Sequence, residues 1–202
     1  MAVQADDLTL RYSMGGGSGT AFVVGTNNSL GGAVSVTEIR ESPALHNLFD
    51  VVTGAESAST RDAAYVDYRV IYAHNGASQE AVGYGVYIPY YTGTMRPKNY
   101  WGQDPVSGRY DTGSPHFDKG FVEVGVSPTY PKNTVAAVLA TETTEPPSDI
   151  TWVQPTPTVP LVIGDIAAAG YRAIYLKRTI KVGTAARDNA EFDLVPVSDT
   201  GQ

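Results

Sequence analysis

From residue 64 onward, apolar and polar positions alternate with a period of two. Over residues 64–74, Tyr68, Val70 and Tyr72 fall on one face and Arg69, Ile71 and Ala73 on the other, which predicts a strand. Asn75-Gly76 follows, a pair that marks a hairpin or turn because both residues accept positive φ. A second strand is predicted over 81–91, with Val82, Tyr84, Val86 and Ile88 on one face. Gly83, Gly85 and Tyr87 lie opposite, and two glycines there predict a bulge or the close approach of another backbone. Further strands are expected at 120–126, 135–141, 150–153, 161–166, 171–182 and 192–197. In the segment 171–182, Ile174, Leu176, Ile180 and Val182 form the inward row, which Arg178 interrupts, and Tyr175, Lys177, Thr179 and Lys181 point out. Prolines at 146–147, 155, 157 and 160 bracket one short strand and suit edge protection or stiff loops.

The first 44 residues are looser. Short strands are expected at 8–12, 21–24 and 34–39, separated by a glycine-rich hinge at 15–19 and a turn at 27–32. They are read as an extended N-terminal arm. Leu45, Leu48 and Phe49 allow one helical turn, but no sustained helical period exists. The expected fold is therefore all-β: an antiparallel β-sandwich of immunoglobulin-like or jelly-roll type over residues 45–202, with the arm over 1–44. A loop at 92–119 is too long for a simple connection and predicts a contact-making segment.

Composition narrows the function. The 202 residues carry a formal charge of −7 and contain no cysteine, so disulfides, a thiolate zinc site and a cysteine nucleophile are excluded. An acidic chain is poorly suited to nucleic-acid backbones. No apolar run reaches the ~20 residues of a membrane helix, and the first seven residues lack the regions of a signal peptide, so synthesis in the cytosol is expected.

Candidate chemistry is sparse. His46, His74 and His116 are far apart and lack metal-ligand spacing, and the glycines at 15–19 lack the Lys-Ser/Thr of a phosphate loop. No catalytic residue, cofactor site or metal site is predicted. In the long loop, Asp104, Asp111 and Asp118 stand near Tyr100, Trp101 and Tyr110, a composition that fits a subunit contact, with glycan binding as the alternative. Arg172, Lys177, Arg178, Lys181 and Arg187 make the last third locally basic. They suit either a solvated strand face or contact with an acidic neighbour, including a second copy. Tyr100, Trp101, Tyr110, Arg172, Lys177 and Lys181 are thus the candidate partner contacts.

Several stretches resemble virion structural proteins of tailed bacteriophages: 10–13 (LRYS), 29–35 (SLGGAVS), 47–57 (NLFDVVTGAES), 68–75 (YRVIYAHN), 161–166 (LVIGDI) and 173–180 (AIYLKRTI). The similarity touches both ends of the chain and leaves roughly 92–150 unmatched. It implies a non-enzymatic particle component with a β-sandwich core, either a capsid decoration (cement) protein or a tail or baseplate protein. Implied partners are major capsid or tail proteins and copies of itself, with no nucleic acid, membrane or small-molecule substrate. The implied location is the virion, after synthesis in the host cytoplasm.

Overall fold

The structure, a computed structural model, describes residues 3, 5–15, 29–39, 48, 65–88, 120–180 and 194–199. These residues form two antiparallel sheets, with a 3-10 turn at Ala5–Asp7 leading into the first strand. The strands are β1 (Leu8–Ser13), β2 (Val34–Glu38), β3 (Tyr65–Asn75), β4 (Ala81–Tyr87), β5 (Gly120–Gly125), β6 (Leu161–Ile166), β7 (Tyr171–Ile180) and β8 (Val195–Val197). The larger sheet has the order β2-β1-β3-β7-β5 and the smaller one β6-β4-β8.

Both faces of the larger sheet are buried. On one face Leu8, Leu10, Ile71, Ala73, Val124, Ile174 and Leu176 share a core with Ala81, Tyr84, Val86, Ile88, Ile163 and Ile166 of the smaller sheet. This is the sandwich contact. On the other face Tyr68, Val70, Tyr72, Ala173 and Tyr175 pack under Leu30, Ala136, Leu139 and Ile150. Tyr175, expected to face solvent, is therefore 1% exposed. Alternation shows which residues share a face; it does not show that the polar-looking face is covered by irregular chain.

That cover comes from segments expected to be strands. Residues 135–141 are not a strand: Ala136 and Leu139 are buried, and the Leu139 N–H donates to the Leu30 carbonyl at 2.7 Å. Residues 150–153 contribute one bridge, in which Val153 and Val124 exchange hydrogen bonds of 2.7 and 3.0 Å. That bridge occupies the outer side of β5, the role in edge protection expected of the proline-flanked stretch.

Asn75 ends β3 without positive φ. Its side chain makes the corner instead: Oδ1 accepts the Ala77 N–H at 3.0 Å, and Nδ2 donates to the Gln79 and Ile166 carbonyls at 2.7 and 2.9 Å. The chain then leaves one sheet for the other, so β3 and β4 do not pair as a hairpin. The bulge expected from the strand glycines is present. Gly83 has φ 65°, and the β4–β6 register shifts between Ala81 and Tyr84. This extra residue reverses the expected side of Val82: Ala81 points into the core at 0% exposure, and Val82 is 41% exposed.

The described part of residues 1–44 does not behave as an arm. β1 lies between β2 and β3, and Leu8, Leu10 and Tyr12 are buried. Leu8 and Leu10 give it a core face, and five partners in register on β3 are a better site for that face than a neighbour's surface. The segment at 21–24, most of the glycine hinge and the long loop lie outside the described residues.

Candidate functional site

The basic stretch of β7 splits between two faces. Asp67 pairs in register with Arg178, and Tyr68 with Lys177, so these neighbouring cations point to opposite sides of the sheet. On the sandwich side, Arg178 Nε donates to Asp67 Oδ1 at 2.8 Å and Nη2 to Oδ2. Arg69, wholly buried, donates from Nη2 to Glu142 Oε2 and from Nη1 and Nε to the carbonyls of Tyr68 and Leu48, each at 2.8 Å. The Tyr65 hydroxyl donates to Glu142 Oε1 at 2.8 Å. Burial pushes the Asp67 carboxyl up, against the opposing pull of Arg178 and Arg69. Burial also acts to raise Glu142, but the hydrogen bond from Tyr65 and the charge and hydrogen bond of Arg69 outweigh it and hold Glu142 low. Two acids and two guanidiniums thus neutralise one another inside the protein, the arrangement of a structural network.

Lys177 lies on the opposite face. Its Nζ is 2.7 Å from Glu123 Oε2 and 5.6 Å from the centre of the Trp152 ring, which packs in turn on Tyr68 at 5.9 Å. Arg172 faces the smaller sheet, where Nη1 donates to the Ile163 carbonyl. The predicted contacts Arg172 and Lys177 are therefore not brought together. Tyr100, Trp101, Tyr110 and Lys181 lie outside the described residues.

What opens to solvent is the outer face of the smaller sheet. Gly85 pairs with Val162 on one side and Val197 on the other. Val162 is 67% exposed. A Cβ on Gly85 would lie 3.2 Å from the Leu161 carbonyl oxygen and 3.5 Å from both Pro160 Cβ and Val197 Cγ2, so the buried glycine lies low between its neighbours in a shallow trough beside Val162, Val197 and Pro160. Exposed Val82 continues it. No family model, curated protein or solved structure matches the chain.

At the end of the trough the polar groups cluster around Gly83. Asp165 Oδ1 accepts its N–H at 2.9 Å, and the Asp199 carboxylate fills the place a Cβ would take. The Ser198 hydroxyl donates to the Val82 carbonyl at 2.8 Å. An apolar floor with a polar rim is the anatomy of a protein contact. The trough was hidden in the sequence because Val82 changes sides only through the bulge at Gly83. The one available signal was the unusual spacing of Gly83 and Gly85 within a strand.

Proposed function

We propose that this chain is a non-enzymatic structural protein of a tailed-phage particle, a capsid decoration (cement) protein that stabilises the shell through subunit contacts. A tail or baseplate position is the alternative within the same class. The observation that carries this proposal is the exposed apolar surface of Val162 and Val82 along the Gly85 trough, set on a sheet whose opposite face is already committed to the core. Contiguous exposed apolar surface marks a place where a neighbouring molecule packs. The stretches that resemble phage virion proteins support the same class, and β6 itself (LVIGDI) is one of them. An immunoglobulin-like or jelly-roll sandwich is the finer fold that belongs to this proposal.

The mechanism is mechanical. Burying the trough removes apolar area from water at about 25 cal/mol per Å², and repetition over a symmetric particle adds avidity. Cosedimentation with heads and with tails purified separately from the parent phage tests it. The chain is expected to pellet with heads, and Val162→Asp, at an exposed position, to stay in the supernatant with an unchanged melting temperature. Pelleting with tails alone selects the alternative, and retention by neither overturns the proposal.

A further inference from the structure

Six lysines and arginines lie among the described residues, and four have an acidic counterpart. Arg69 meets Glu142, Lys177 meets Glu123, Arg178 meets Asp67, and Arg11 stands opposite Glu38 in register. The remaining two, Lys132 and Arg172, are forty residues apart in sequence and adjacent in space. A Cβ placed on Gly164 would lie 3.7 Å from Lys132 Cε, 4.0 Å from Lys132 Nζ and 3.8 Å from Arg172 Nη1. Their charged heads therefore lie within about 8 Å of each other, no more than a Debye length at physiological salt, so the repulsion between them is incompletely screened.

The juxtaposition is built. Asn133, at φ 59°, locks its turn to the start of β7: its N–H donates to the Tyr171 carbonyl at 2.7 Å, and its Oδ1 accepts the Tyr171 N–H at 2.9 Å. Lys132 precedes Asn133 and Arg172 follows Tyr171, so this pair of hydrogen bonds sets the two cations side by side. Gly164, at φ 93° in β6, provides the space between them. Arg172 is half-buried, its Nη1 is taken by the Ile163 carbonyl, and its Nε is buried without a hydrogen-bond partner. The nearest acid in sequence, Asp165, is turned to the Gly83 N–H.

We propose that Lys132 and Arg172 form an oxyanion-binding notch over Gly164, sized for a single phosphate or carboxylate group. A guanidinium and an ammonium converging on one small space supply two positive charges with N–H donors for such a group. Burial already pulls the Arg172 guanidinium below its usual range, and a bound anion offsets that cost. The notch stands on its own geometry. Only the source of the oxyanion, a neighbouring subunit's acidic side chain or a free inorganic anion, rests on the particle contact proposed above.

The test is a titration of the ¹⁵N-labelled chain with sodium phosphate, and separately with sodium acetate, each against sodium chloride at matched ionic strength. Saturable shifts of the Gly164 and Lys132 amides are expected with phosphate. The dissociation constant should rise at least tenfold in Lys132→Gln, a change at an exposed residue that leaves folding intact. Arg172→Lys, which keeps the charge and loses the planar guanidinium, is expected to weaken binding by a smaller factor. Acetate producing the same shifts assigns the notch to a protein carboxylate, and phosphate alone assigns it to an inorganic anion. No saturable shift with either, or equal binding by Lys132→Gln, overturns the notch. The Val162→Asp sedimentation result is independent of that outcome.

Discussion

Asp67 and Arg178 stand opposite each other on β3 and β7, and their side chains join at two points in the interior, with side-chain exposures of 0% and 6%. Neither can be removed alone without leaving a buried charge. Arg178→Met is expected to cost about 3–5 kcal/mol, and the double change Asp67→Leu with Arg178→Met to recover most of that loss. Urea denaturation of the two single variants and the double variant measures this. Equal losses in the single and double variants would show that the packing of Arg178, not its pairing, sets the cost.

Glu142 gives the network a pH dependence. Its carboxyl is held below the ordinary glutamate value in the folded protein. Between the folded and unfolded values the unfolded chain binds more protons, so stability rises with pH across that window. The contribution is complete above the unfolded value, about 4.3, and fades as pH falls through the folded one. Urea midpoints of the native chain should decline faster than those of Glu142→Gln between pH 5 and pH 3, roughly one unit on either side of the ordinary range. Parallel curves would remove Glu142 from the account.

Tyr72 joins three segments through one oxygen. Its hydroxyl donates to the Gly32 carbonyl and accepts the Ala136 N–H at 3.0 Å, and burial pushes its ionisation up to about 12. Tyr72→Phe keeps the ring and strands both backbone groups, at an expected cost of about 1–3 kcal/mol. Amide exchange at Ala136 should accelerate by more than the global loss of stability accounts for. Unchanged exchange there would contradict the hub.

The bulge at Gly83 requires a left-handed backbone, and Asp199 stands where a side chain would project. Gly83→Ala is expected to lose about 1–2 kcal/mol, the cost of positive φ in an L-residue. Gly83→Asn should lose less for its size, because asparagine tolerates that region. Thermal melts of both rank them, and an alanine variant as stable as the native chain would show that the bulge can relax.

All eight strands coincide with segments expected to be strands, and β1, β3 and β7 were the most legible because each carries an apolar row that can bury in only one register. The failures have a common cause. Residues 135–141 and 150–153 carry strand-like patterns, but in the fold they lie across Tyr68, Tyr72 and Tyr175 as irregular cover. Local sequence shows an appetite for burial and says nothing about which backbone edges remain open. β1 was misassigned to an arm for the converse reason: its anchors were visible, while its partner on β3 lay more than fifty residues away. Arg172 stood out as part of a basic run, but Lys132 did not. The bond between Asn133 and Tyr171 that unites them exists only in three dimensions.

The central pair of the larger sheet, β3 and β7, joins residues about a hundred positions apart, a separation typical of slow-folding topologies. A ribosome adding 5–20 residues per second therefore releases β3 roughly 5–20 s before its principal partner exists. Through that interval β1 and β2 can pair along one edge of β3, while its other edge waits for β7. The order of synthesis thus leaves the β7-facing edge of β3 open on the nascent chain, and yield is expected to depend on translation speed and temperature as well as on the stability of the finished sandwich.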